Sequence, residues 1–182
     1  MKKIALVLIA IAIVSTAAIA GDMAKSGQWG VQTSLGVASS PQPISTLGLK
    51  FMASENLAVR IEAGFGSFSP GGSGSSTSSG YAFGAGFEYH MTAVGGVSPY
   101  VGLQAGYGGE STPTPTGGTS TNASNVSVNG VWGGEYFFSS NFSWAGEIGL
   151  GFVSSSSGVT GASSSSTIGT GSATVILTWY LN

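Results

Sequence analysis

Between Trp29 and Leu181 the chain alternates large apolar residues with small or charged ones, and it does so in eight separate stretches. A period of two is what a β-strand with unlike faces requires, because successive side chains leave opposite sides of the strand. In the first stretch Trp29, Val31, Leu35 and Val37 oppose Gly30, Gln32, Ser34 and Gly36. In the second, Leu47, Leu49 and Phe51 oppose Gly48, Lys50 and Met52; in the third, Leu57, Val59, Ile61, Ala63 and Phe65 oppose Arg60, Glu62 and Gly64. The fourth sets Tyr81, Phe83, Ala85, Phe87 and Tyr89 against Gly84, Gly86, Glu88 and His90. The fifth sets Val101, Leu103, Ala105 and Tyr107 against Gly102, Gln104 and Gly106. Val128, Trp132, Tyr136 and Phe138 oppose Asn129, Gly133 and Glu135 in the sixth, and Phe142, Trp144, Ile148, Leu150 and Phe152 oppose Ser143, Glu147 and Gly149 in the seventh. The last places Ala173, Val175, Leu177, Trp179 and Leu181 across from Ser172, Thr174, Thr178 and the larger Ile176 and Tyr180.

The phase of the charges decides which face points inward. Lys50, Arg60, Glu62, Glu88, His90, Glu135 and Glu147 all fall on the face without the large aromatics. In a soluble barrel the apolar face would line the core, and a surface of Gly, Ser and a few charges would have to hold the protein in water. Only 7% of the residues are charged, against roughly 25% in ordinary soluble domains. The opposite arrangement satisfies both faces: apolar residues meet lipid, and the charged, glycine-rich face fills a narrow lumen. Strands of about ten residues are the length that a tilted membrane crossing needs. Closure pairs every backbone group and leaves no edge, which makes an apolar last strand safe. The fold expected is therefore all-β, an eight-stranded antiparallel transmembrane up-and-down barrel.

Connections and aromatics support that reading. The second and third stretches are joined by Ala53-Ser54-Glu55-Asn56 only, and the sixth and seventh by Ser139-Ser140-Asn141. Long polar connections follow the third, fifth and seventh (SPGGSGSSTSSG, GGESTPTPTGGTSTN, SSSSGVTGASSSS), so short turns and long loops collect at opposite ends. The outer connection around Ser39 to Pro43 is shorter than its counterparts, and the turn from Met91 to Ser98 is longer. With the first strand rising from the periplasm, Trp29, Phe51, Tyr89, Tyr136, Phe142, Trp144 and Trp179 mark one membrane boundary. Phe65, Tyr81, Tyr107 and Phe152 mark the other, as interfacial girdles do.

The chain begins MKKIALVLIAIAIVSTAAIA. Lys2 and Lys3 precede an apolar run from Ile4 to Val14, and Ala18-Ile19-Ala20 offers a small-residue cleavage site, so residues 1–20 are expected to be a cleaved signal peptide. The barrel domain is then 21–182. No other apolar run nears the roughly 18 residues of a spanning helix. Cysteine is absent, which excludes a disulfide framework and a lipid-anchored lipoprotein. After signal removal Lys25, Lys50 and Arg60 face seven acidic residues with no basic run, so nucleic acid is not an expected partner.

These features together resemble the small eight-stranded outer-membrane barrels of the OmpA/OmpX kind. The resemblance covers Gly21 to Asn182 and is most specific at the end, where Leu181, Trp179, Leu177 and Val175 alternate like the C-terminal signal that such barrels present to their assembly machinery. That family usually ends on an aromatic residue; here Leu181 takes the place and Asn182 is additional. The resemblance implies localisation in the outer membrane of a Gram-negative bacterium. The partners it implies are membrane lipid, lipopolysaccharide and the assembly machinery. The tethering role of longer OmpA-like proteins, which carry a peptidoglycan-binding domain after the barrel, is not expected.

Other motifs weigh less. Gly27-Gln28-Trp29 matches the G-x-W of lipocalins, but lipocalins need an apolar interior. Three Asn-x-Ser sequons, at Asn122, Asn125 and Asn141, are expected by chance in a Ser-rich chain. Glu88, His90 and Thr92 could supply an acid, a base and a hydroxyl. Lipid A deacylases use such a barrel, yet their H-x-S-N reads His90-Met91-Thr92-Ala93 here, and His90 faces the lumen. One histidine with scattered carboxylates makes a poor metal site, and no cofactor is expected. The lumen set Lys50, Arg60, Glu62, Glu88, His90, Glu135 and Glu147 is expected to pair into a plug. The expected function is that of an outer-membrane barrel with a structural or surface-interaction role and no catalysis. The alternatives are a narrow, weakly cation-preferring channel and a lipid A-modifying enzyme. The outer loops carry no aromatic cluster or charge pattern that specifies a surface ligand.

Overall fold

The computed structural model describes residues 24–36, 45–68, 77–113, 121–157 and 164–181. The signal segment 1–20, Val37, the connection from Ser39 to Pro43, the middles of the three long loops and Asn182 lie outside the described residues. Eight strands follow in chain order: β1 (Trp29–Gly36), β2 (Ser45–Met52), β3 (Leu57–Phe68), β4 (Ser78–His90), β5 (Val97–Thr112), β6 (Thr121–Ser139), β7 (Phe142–Ser157) and β8 (Ser165–Leu181). Each pairs antiparallel with its neighbour, and β8 returns to β1, closing the barrel. The closing register matches Trp29 with Leu181, Val31 with Trp179 and Leu35 with Val175. The last apolar strand is thus paired along the whole of β1.

Strand lengths depart from the uniform ten or so residues that a membrane crossing needs. β1 and β2 have 8 residues each, whereas β5, β6, β7 and β8 have 16, 19, 16 and 17. The Ser/Thr/Asn stretches read as loop continue the ladder instead, since each has a partner to bond to: Ser124 faces Ser156, and Glu110 faces Ala123. A polar sheet therefore stands above the apolar band on that side.

Two irregularities adjust the facing of side chains. At the β6–β7 turn, Phe137 pairs with Ser143 and Ser139 with Phe142, so Phe138 is an extra residue. In β8 the register passes from Gly149–Ser172 to Leu150–Thr170, leaving Gly171 as a bulge. A bulge shifts the parity of everything beyond it. Outward residues of β8 are accordingly odd-numbered below Gly171 and even-numbered above, and Ile168 faces out opposite Phe152.

The longer turn has a local cause. Val94 and Val97 exchange backbone hydrogen bonds (2.9 and 3.2 Å) around Gly95 and Gly96, whose φ values are +61° and +81°. Two consecutive positive φ angles are what a tight type I′ hairpin demands, and glycine adopts them without a Cβ clash. Ser98, expected in the turn, belongs to β5.

Candidate functional site

The outward face is apolar over its whole circumference. Leu47, Ile61, Phe83, Leu103, Val128, Trp132, Ile148, Leu150 and Leu177 are all exposed, Leu47 by 65% and Trp132 by 63%. Of the expected girdle residues, Trp29, Tyr89 and Trp179 are exposed at the turn end, and Phe65, Tyr81, Tyr107 and Phe152 at the loop end. Phe51, Phe142 and Trp144 are half-buried. Tyr136 differs more: it is only 7% exposed. Phe138 packs edge-on against it at 5.0 Å and takes the outer position itself, 52% exposed.

The inward face holds a connected ion network at mid-height. Lys50 Nζ lies 2.7 Å from Glu88 and 2.8 Å from Glu135. Arg60 Nη1 donates to Glu88 at 2.8 Å and meets Glu147 Oε2 at 2.9 Å, while Nη2 donates to Glu147 Oε1 at 2.9 Å. Two cations thus share three carboxylates drawn from β4, β6 and β7. The excess anion is met by neutral donors. Tyr180 donates its hydroxyl to Glu135 at 2.8 Å, Ser143 donates to the same carboxylate, and Tyr100 donates to Glu147 at 3.1 Å. All of these residues are buried. Buried ions cost several kcal/mol each in lost hydration, offset only when geometry and extra hydrogen bonds are good. The bidentate arginine and the two tyrosines provide them. Room for Tyr100 comes from Gly133, where a Cβ would collide with the phenol.

Glu62 does not join this network. Its neighbours are Thr46, which donates to it at 2.8 Å, Ser34 at 3.4 Å and the amide of Gln104. No basic side chain among the described residues pairs with it, so Glu62 stands outside the ion-paired plug expected of the whole lumen set. Arg60 and Glu62 are two apart on one strand, about 6.5 Å in rise, and the guanidinium turns to the layer nearer the turns. The lumen is layered rather than a single pool of charge.

His90 is completely buried between Glu88 (Nε2 to Oε2, 3.1 Å) and Ser98 (Nδ1 to Oγ, 3.1 Å). Thr92 is exposed beyond the end of β4, so the hydroxyl beside His90 is Ser98 and not Thr92. The Ser98–His90–Glu88 array copies the order of a hydrolase triad. Its acid, however, is already ion-paired to Lys50 and Arg60, and both Ser98 and His90 have no exposed surface. Glu88, His90 and Glu135 also lie close enough to share a metal ion, but the Lys50 ammonium bridges the two carboxylates.

Below the ions, Ala24, Met52, Ala58, Phe137 and Tyr180 pack into an apolar cluster at the turn end, with the Phe137 and Tyr180 rings stacked at 5.9 Å. At the level of the ions, Tyr100, Ala145 and Ile176 make a second apolar cluster, Ala145 pairing with Glu135 and Ile176. Tyr100, Tyr180, Ser98, Ser143 and Phe137 were not among the residues singled out from the sequence. Tyr180 was visible as an aromatic on the lumen parity, and Tyr100 precedes Val101 on that same parity. Phe137 shares the inward parity of Glu135 within the sixth stretch, whereas Ser98 falls in the segment read as a turn.

No protein-family model matches the chain, and no curated protein matches it in sequence. Solved structures do. The fold is that of the small outer-membrane barrels. The outer membrane protein OprG of Pseudomonas aeruginosa aligns with a TM-score of 0.57 at 12% identity, over 90% of this chain and 99% of that one. The N-terminal β-barrel domain of OprF from the same organism gives 0.53 at 13% identity, over 86% and 98%. Outer membrane protein AlkL, solved in DMPC lipid bilayers, gives 0.53 at 14% identity, over 87% and 92%.

Proposed function

We propose that the chain is an integral outer-membrane protein of a Gram-negative bacterium, exported with residues 1–20 as a cleaved signal. Its role is structural or one of surface interaction, with the lumen closed to bulk flow. The observation that carries this reading is the direction of the side chains. The large apolar residues stand outward around the barrel, and the ions are buried inside it. Water would leave the outer face unsolvated, whereas a bilayer matches it. AlkL, of the same fold, was solved in a bilayer, which supports the same environment here.

In this reading the aromatic residues at the two strand ends sit at the lipid boundaries, and the polar sheet of β5–β8 stands among lipopolysaccharide sugars. The C-terminal residues Val175, Leu177, Trp179 and Leu181 present the strand to the assembly machinery. No catalytic role is proposed. The buried state of His90 and Ser98 speaks against one, as lipid could not reach them. A narrow cation path is the second reading, favoured by the uncompensated carboxylate of Glu62.

Refolding decides the first point. Urea-unfolded mature protein should regain a strand spectrum and a heat-modifiable band only in micelles or bilayers; a monomer that folds in plain buffer overturns membrane residence. Bilayer recording decides the second. Small or absent currents are expected, and large, anion-selective currents overturn the closed lumen.

A further inference from the structure

A cavity of about 970 Å³ lies at the loop end, where the apolar band gives way to the polar sheet. The strand register shows how it is built. Phe65 pairs with Tyr81, Tyr81 with Gly109, Gly109 with Ser124 and Ser124 with Ser156, so five strands each place one residue in a single row. The next outward-facing row towards the loops runs Ser67, Ser79, Ser111 and Asn122. Directly paired residues share a face, and this face is the outer one, since Phe65 and Tyr81 are both exposed on it. Both rows line the cavity. Gly109 decides its shape. A Cβ there would lie 2.6 Å from Cζ and from the hydroxyl of Tyr81, so the phenol lies down across the bare glycine instead of standing off the sheet. Tyr107 holds it from the side, with ring centroids 6.1 Å apart and a hydrogen bond between the two side chains. The result is an aromatic platform with a row of hydroxyl and amide groups along its loop side.

We infer that this cavity holds the uncharged sugar of a membrane glycolipid, with the pyranose ring on Tyr81 and the alkyl chain descending over Phe83 and Tyr107. A pyranose has an apolar C–H face and a rim of hydroxyls. An aromatic platform edged by Ser and Asn complements both. The charges argue against a phosphorylated headgroup. Arginine or lysine recognises phosphate, and beyond residue 20 the basic residues are Lys25, Lys50 and Arg60 only. Lys25 lies at the turn end, and the other two are buried in the ion network. The single charged residue of the lining is Glu110, an anion. A free saccharide would need the platform and the polar row alone. Phe83, Tyr107 and Val126 form the adjoining outward row on the band side, and that apolar row is what an attached chain requires. The inference rests on the proposed membrane residence and adds to it the chemistry of a boundary ligand.

Proton–nitrogen NMR of the full mature chain in phosphocholine micelles tests this, with octyl glucoside as the probe. Saturable shifts should centre on the amides of Tyr81, Gly109 and Ser124. Octyl phosphate shares the chain and glucose shares the sugar, and each should bind more weakly by roughly tenfold or more. Tyr81→Leu keeps an apolar outward side chain and should weaken octyl glucoside by roughly tenfold, about 1.4 kcal/mol. Gly109→Ala pushes the phenol off the sheet and should also weaken it, which serves if Tyr81→Leu does not refold. Tyr89→Leu, in the turn-end girdle, should leave the affinity unchanged. Shifts spread evenly over both girdles, wild-type affinity in the cavity variants, or equal binding of octyl phosphate would overturn the inference. Equal binding of glucose would overturn the lipid as its source. A chain that never refolds in micelles would instead remove the membrane reading, and this site with it.

Discussion

Arg60 holds Glu147 with two parallel contacts of 2.9 Å, Nη1 to Oε2 and Nη2 to Oε1, across the barrel from β3 to β7. Lysine cannot reproduce that fork, since it offers a point charge. Removing one partner of a buried pair leaves an uncompensated ion and costs about 3–5 kcal/mol. Arg60→Ala should lose stability of that order in urea unfolding from micelles, and Arg60→Lys less. Glu62→Gln should cost less, at most about 1.5–3 kcal/mol, because no ion pair is broken and only hydrogen bonds to a charged group are weakened. Equal losses for Arg60→Ala and Glu62→Gln would show that the lumen charges act as one pool.

The contrast also marks how far alternation can be read. Parity placed Lys50, Arg60, Glu62, Glu88, His90, Glu135 and Glu147 on the inner face, and each of them lies there. Parity says nothing of height around a tilted barrel, so which carboxylates Arg60 meets was out of reach. The eight strands and their order were readable because both faces differ in size and polarity. Their upper ends were not, since Ser and Thr suit a loop and a solvated strand equally. Bulges erase parity locally. Ile168 lies beyond such a point and could not be assigned a face without the register, whereas Phe137 precedes the Phe138 bulge and keeps the inward parity of Glu135.

Phe137 and Phe138 are consecutive and face opposite media. Phe137 is 1% exposed and stacked on Tyr180, while Phe138 is 52% exposed on the outer face. Phe137→Ala should cost about 3–5 kcal/mol through the cavity it leaves. Phe138→Ala should cost distinctly less, since lipid can fill the space. Unfolding of the two variants side by side checks this, and a reversed order would place the bulge elsewhere.

Ile148 lies midway along the apolar band of β7, paired with Trp132, and Asn122 lies in the polar sheet above it. An arginine on the lipid face costs about 2–4 kcal/mol at the bilayer midplane and about 0–1 near the interfaces. Ile148→Arg should therefore unfold at markedly lower urea than wild type when refolded in lipid vesicles. Asn122→Arg should match wild type. Similar stability of both variants would put the bilayer somewhere other than this band.

The last strand carries the final test. Trp179 and Leu181 face outward and pair with Val31 and Trp29 on β1, next to the turn end. A lysine there sits at the membrane boundary, where the lipid cost is only about 0–1 kcal/mol. Purified Trp179→Lys and Leu181→Lys should therefore refold in vesicles with stability close to wild type. In cells the expectation differs, because a charge breaks the apolar alternation that the assembly machinery is proposed to read. Fractionation of expressing cells should find both variants depleted from the outer membrane although they refold in vitro. Normal insertion in cells would remove the assembly role from these residues, while failure in both settings would make the defect one of stability alone.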